Sequence, residues 1–192
     1  MKKIMFNDRY GLTQAVIEGR KTMTRRLVDP KSKYEELRLW QPCLELEHGL
    51  YGYTDNDGWN IIKPHYHLGE VVAVAQSYNS FYDDTYNPVL FPAGAGWGNK
   101  MFVKAELMPY QIRITGIKCE RLQDISDADC LREGIRYLPK IGKFYFEDMR
   151  REEGFYFDDH REAFASLIDK VSGRGTWKRN PWVVAYEFEL VK

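Results

Sequence analysis

The stretch EVVAVAQSY, residues 70–78, is apolar without interruption from Val71 to Ala75 and has the length of a strand. An alternating strand buries one face, whereas a continuous apolar run must be covered on both, so this segment belongs in the middle of a sheet. The next segment is irregular. Residues 79–100, NSFYDDTYNPVLFPAGAGWGNK, mix prolines, glycines and aromatics with no periodicity, the signature of a long loop or lid.

Three further segments carry strand patterns: TMTRRLV after Gly19, QIRITGIKCERL from Gln111, and VVAYEFELV near the end of the chain. LYGYT and WNIIK are expected to form a hairpin around Asp57 and Gly58. Three helices are expected. The first follows Asn7 or Asp8 as cap, with Leu12, Ala15 and Val16 at helical spacing and Gly19 as terminator. The second, SDADCLREG, opens on a Ser126 and Asp129 capping box and closes at Gly134. The third follows Asp158 or Asp159, buries Ala163, Phe164, Leu167, Ile168 and Val171, and stops at Gly173. Strands outnumber helices, no strand–helix–strand alternation occurs, and no internal repeat is present. The expected class is α+β, a mixed β-barrel with peripheral helices, as one domain over residues 1–192 enlarged by insertions at about 29–68 and 79–109.

The 28 basic and 28 acidic residues cancel, so any grip on a polyanion must be local. Cys43, Cys119 and Cys130 are odd in number and form no close pair, which points to a reducing compartment. No 18-residue apolar segment or signal-like start is present, so a cytoplasmic protein without a membrane partner is expected. PAGAGWGNK fails as a phosphate-binding loop because Lys100 is followed by Met101, not serine or threonine. His65 and His67 lack a third ligand of suitable spacing unless His48 or Cys43 folds in, so neither a metal nor another cofactor is expected.

The charge concentrates in GRKTMTRR, residues 19–26. On a strand Thr22, Thr24 and Arg26 share one face, while a turn at Lys21 can bring its ammonium toward the Thr24 hydroxyl. A lysine partly desolvated in a pocket can take a proton from a nucleophile, and Arg26 can fix a carbonyl or anion. The plain alternative is a solvent-facing basic edge strand. Arg20 and Arg25, with Lys178 and Arg179 in TWKRNPW, would form a stripe for a phosphate backbone if the fold joins them. Phe81, Tyr82, Tyr86, Phe91 and Trp97 either stack on bases or pack the loop; Trp177, Trp182 and Tyr186 are expected to pack.

Gly19, Lys21, Thr24 and Arg26 match G-x-K-x-x-T-x-R, and the chain here resembles the ASCH domain, a β-barrel family related to the PUA fold. Phe6 with Asn7, Gly69 with Glu70, LQDISDADCLREGI, and AFASLIDKVSGRGTWKRNPWVVAYEFELV also resemble ASCH proteins of bacteria and their phages. The likeness spans about residues 3–28, 68–78 and 110–190. It implies a PUA-like fold and a pocket that recognises RNA or a modified pyrimidine nucleoside. Some members are amidohydrolases acting on N4-acetylcytidine; the resemblance places their working lysine, threonine and glutamate on Lys21, Thr24 and Glu133. Where many relatives read V-R-E-T-W, this chain has Val74, Ala75, Gln76, Ser77 and Tyr78. Gln76 and Tyr78 remain able to hydrogen-bond and stack on a base, which favours binding over acid-base chemistry at that wall. A third possibility is a phage-derived interaction module without catalysis.

Overall fold

The computed structural model describes residues 1–28, 44–46, 50–55, 58–62, 64–81 and 94–191. The apolar run becomes β6 (Val71–Val74), flanked by β1 (Lys3–Ile4) in parallel and by β7 (Gln111–Arg121) in antiparallel. Its continuous apolarity has a specific cause. Val72 and Val74 face the main core, whereas Ala73 and Ala75 face a second cluster with Tyr78, Val103, Ala105 and Met108. Both faces of this strand are therefore dry.

The sheet continues through β11 (Trp182–Leu190) to β2 (Met23–Leu27), giving the order β1-β6-β7-β11-β2. This mixed α+β arrangement is not closed into the expected barrel: no ladder joins β1 to β2 among the described residues. The reason is local. β1 is two residues long, and the chain then leaves the sheet through Met5–Asn7 into a 3-10 turn, Asp8–Tyr10. Gly11, at φ 65°, redirects it into α1 (Leu12–Ile17), so the turn takes the position that Asn7 and Asp8 were expected to cap directly.

The other helices obey their capping signals, although Val171, expected on the buried face of the third, is exposed. In α2 (Asp127–Arg132) the Ser126 hydroxyl accepts from the Asp129 N–H at 3.2 Å. In α3 (His160–Ser172) Asp159 accepts from the N–H groups of Arg161 and Glu162, and Ala163, Phe164, Leu167 and Ile168 are buried. A short α4 (Thr176–Arg179) precedes β11.

Two three-stranded sheets complete the architecture of the described residues. Residues 44–62 supply β3 (Leu44–Leu46), β4 (Leu50–Asp55) and β5 (Gly58–Ile62), with Asp55 paired to Gly58 across the expected hairpin. The other, between α2 and α3, is β8 (Arg136–Leu138), β9 (Lys143–Asp148) and β10 (Glu153–Phe157), and the strand patterns in the sequence did not anticipate it. Its signal was present as the alternating aromatics of KFYFED and EGFYF. Phe144, Phe146, Phe155 and Phe157 point to the core, while Tyr145 and Tyr156 stack on the other face. In the long loop the described residues form 3-10 turns at Tyr78–Ser80, Lys100–Phe102 and Ala105–Leu107; Tyr82, Tyr86, Phe91 and Cys43 lie outside the described residues. No described helix is long and apolar enough to cross a membrane.

Candidate functional site

Gly19 ends α1 at φ 71°, and the N–H groups of Arg20 and Lys21 both bond the carbonyl of Ala15 at 2.9 Å. This tight reversal turns Lys21 inward, where its side chain is 2% exposed. The Thr22 N–H then bonds the Arg132 carbonyl at 3.0 Å, fastening the junction to the end of α2. Lys21 Nζ consequently meets Glu133, the residue that ends α2, donating to its Oε2 at 2.6 Å and to its main-chain oxygen at 2.7 Å. Burial pushes the Lys21 ammonium below its ordinary value, against the opposing pull of Glu133.

The Glu133 carboxylate is held from its other side by Arg25, whose Nη1 donates to Oε1 at 3.1 Å. Arg25 also pairs with Asp129 at 3.0 Å and Glu120 at 2.6 Å, and its side chain is fully buried. Lys118 bridges Glu120 and Asp129; Arg132 bridges Asp129 and Glu187. Every charge in this cluster has an opposite partner, which is the condition for keeping ions away from water. Burial raises the Asp129 carboxyl, but Arg25 and Lys118 outweigh it and hold the net value below the usual range.

Lys21, Thr24, Arg26 and Glu133 line one cleft of about 180 Å³. It occupies the seam that the sheet leaves open, with Met5–Asn7 on one bank and β2 on the other, and α3 supplies Phe164, Leu167, Ile168 and Val171 as an apolar wall. Arg26 spans the seam, its Nη2 donating to the Met5 carbonyl at 2.6 Å. It has no carboxylate partner among the described residues, so it adds positive charge that the cleft does not neutralise. Phe6 lies beneath both cations, its ring centroid 5.8 Å from the Arg26 guanidinium carbon and 5.9 Å from Lys21 Nζ. No hydrogen bond occupies the Thr24 hydroxyl among the described residues. The cleft thus combines an apolar wall from α3 with an ammonium, a hydroxyl, a carboxylate and a guanidinium in its lining.

Other expected site residues lie elsewhere. Tyr78 is 1% exposed within the second apolar cluster, and its hydroxyl accepts from the Lys104 N–H, so it offers no stacking face. Gln76 comes directly after β6 and its neighbour Ala75, and it is not among the cleft-lining residues. Arg25 cannot reach a phosphate, because its guanidinium is spent inside the protein on three carboxylates; the basic stripe therefore loses that member. Arg20 is paired with Glu18 at 2.6 Å. Lys178 and Arg179 sit on α4, where Arg179 donates to Thr176 Oγ1. Tyr186 is buried, and Trp177 packs against the core. Glu120, Asp129 and Lys118 were not anticipated, since their relevance exists only once β7, α2 and β2 are brought together.

A broader depression, lined by Met1–Lys3, His65, Val103, Ala105 and Glu106, is a weaker candidate because its ammoniums are already engaged. Lys2 pairs with Glu70, Lys3 donates to the Met101 and Val103 carbonyls, and the amino terminus pairs with Glu106. His65 and His67 are exposed, and no group of three or more metal-ligating side chains occurs among the described residues. Burial pushes the Cys130 thiol up to about 12, so it is inert.

Gly134 packs beside Leu12 and the Lys21 stem. It adopts φ 108°, and a Cβ there would lie 3.1 Å from Leu12 Cδ2 and 3.7 Å from Lys21 Cδ. Gly134→Ala is expected to cost about 1–3 kcal/mol through backbone strain, read as a fall of about 5 °C in Tm by calorimetry, and an unchanged Tm would refute the strain assigned here. The chain matches no family model, and no curated protein or solved structure is significantly similar to it.

Proposed function

We propose that this chain carries a PUA-like domain of the ASCH type whose seam cleft takes the base of a modified pyrimidine nucleoside. The observation that carries this proposal is that Lys21, Thr24, Arg26 and Glu133 line one cleft together with an apolar wall from α3. Such a cleft suits a flat ligand with two greasy faces and one polar edge. Its volume of about 180 Å³ falls below the roughly 300–1,000 Å³ of sites that enclose drug-sized ligands, so a base enters and the ribose remains outside. Arg26, free of any carboxylate among the described residues, is placed to meet a carbonyl oxygen or phosphate.

Hydrolysis of an N4-acyl amide is the second reading, favoured by the lowered pKa of the buried Lys21 ammonium. In that reaction Lys21, as its neutral amine, takes the proton from the Thr24 hydroxyl or from a water beside it, and the freed oxygen adds to the acyl carbon. Glu133 holds Lys21 in place and relays its proton to the exocyclic nitrogen as the C–N4 bond breaks. Where Thr24 itself attacked, a water then hydrolyses the acyl ester left on it.

The test is direct. N4-acetylcytidine is expected to bind the wild-type protein, with Arg26→Ala weakening it about tenfold or more. Loss of the acetylated chromophore, slowed about a hundredfold or more by Thr24→Ala, would establish hydrolysis; binding without turnover leaves recognition alone. Absence of both would defeat the proposal.

A further inference from the structure

We propose that the open main-chain edge of β2 reads the ligand, with the Arg25 carbonyl accepting from it and the Leu27 N–H donating to it. This deepens the nucleoside reading, on which it rests, by specifying which atoms select the base. The partner is a planar heterocycle that carries an exocyclic N–H next to an acceptor ring nitrogen, as a cytosine-type base does, including one acylated on its exocyclic nitrogen.

The direction of the edge is set by the register. Thr24 pairs with Tyr186 and Arg26 with Val184, while the Phe188 N–H bonds the Thr22 carbonyl at 2.9 Å and the Val28 N–H bonds the Trp182 carbonyl at 3.1 Å. Residues 22, 24, 26 and 28 therefore turn their main-chain groups toward β11, and Met23, Arg25 and Leu27 turn theirs away from it. The opposite side of β11 agrees: the Leu122 N–H bonds the Pro181 carbonyl at 3.0 Å, so the odd positions of β11 serve β7. Among the described residues nothing bonds the outward groups of Arg25 and Leu27.

Exposure supplies a second, independent observation. Arg25 is 6% exposed as a residue, yet its side chain is 0% exposed and lies in the ion cluster. The part of Arg25 that reaches the surface is its main chain, and Arg25 and Leu27 both line the cleft. A carbonyl at one position and an N–H two residues on lie side by side along a strand edge, a ready-made acceptor and donor pair. An added peptide strand would also use this edge, but the Arg26 side chain crosses the seam to Met5, and a cleft of about 180 Å³ has no room for a run of residues.

The experiment uses 15N-labelled full-length protein and four probes: 2-aminopyridine, pyridine, N4-acetylcytidine and N4,N4-dimethylcytidine. The expected result is that 2-aminopyridine and N4-acetylcytidine shift the Leu27 amide resonance, whereas pyridine and N4,N4-dimethylcytidine, each lacking the exocyclic N–H, bind about tenfold more weakly or worse. Leu27→Pro removes the donor without breaking a ladder bond, as an edge strand permits, and should weaken both binders about tenfold; Leu27→Ala, which keeps the N–H, should not. If Leu27→Pro fails to fold, the probe series decides alone. Nucleoside binding that shifts Thr24 but leaves the Leu27 amide and the probe ranking flat would overturn the edge proposal and spare the nucleoside one. A Leu27 response to 2-aminopyridine with no nucleoside binding would do the reverse, and silence from every probe would end both.

Discussion

Replacing Arg25 with leucine is expected to lower Tm by about 10 °C, the largest stability loss at any single position in the site. Arg25 is the hub of the ion cluster, donating to Glu133, Asp129 and Glu120 with no solvent exposure of its own side chain. Removing one partner of a buried pair leaves an uncompensated charge and costs about 3–5 kcal/mol. For a chain of 192 residues, about 2–4 °C of Tm accompany each kcal/mol. Lys118 and Arg132 still serve Asp129, and Lys21 still serves Glu133, which keeps the loss within that range. Arg25→Lys should recover only part of it, because one ammonium cannot span three carboxylates arranged around a planar fork. Adding Glu120→Gln to Arg25→Leu should recover part of the stability, since it removes one of the carboxylates that Arg25 served while Glu133 stays paired with Lys21 and Asp129 with Lys118 and Arg132. Calorimetry on these variants checks the assignment; an Arg25→Leu protein as stable as wild type would show that the cluster contributes nothing.

The helices and the central strand were legible because their signals are local. Ser126 with Asp129, Asp159 at the start of α3 and Gly19 at the end of α1 each act within a few residues of themselves, and the run Val71–Ala75 declares burial on two faces without reference to any partner. Lys21, Thr24, Arg26 and Glu133 are marked by a short motif and a resemblance, and the fold brings all of them to one cleft. The illegible part was non-local. Arg25 looked like a surface cation because its neighbours in sequence are basic; Glu120 and Asp129, about 100 positions away, determine that it points inward. Tyr78 looked like a stacking residue because tyrosine suits that task, yet Ala75, Val103 and Met108 enclose it. Closure of the sheet was expected from the excess of strands, the lack of strand–helix alternation and the resemblance, but a two-residue β1 cannot supply a ladder to β2. That failure of closure is what creates the cleft.

Lys21→Arg separates the two roles that the site asks of Lys21, its charge and its ability to lose a proton. Both the ammonium and a guanidinium can pair with Glu133, but a guanidinium does not deprotonate in the accessible range. In the wild-type protein burial depresses Lys21 below its ordinary value near 10.5, so the folded chain releases that proton earlier than the unfolded chain does. Between the depressed folded value and 10.5 the unfolded state binds more protons, and the free energy of unfolding therefore rises with pH across that window. Urea unfolding at pH 7 and pH 10 should show wild type gaining stability relative to Lys21→Met and Lys21→Arg, neither of which has a group that titrates there. If Lys21 is the base in deacylation, turnover of N4-acetylcytidine should rise along the same limb, and Lys21→Met and Lys21→Arg should both lose about 10²–10⁴-fold. A Lys21→Arg protein that kept the wild-type pH–rate profile would assign the ammonium to binding and leave proton transfer to another group.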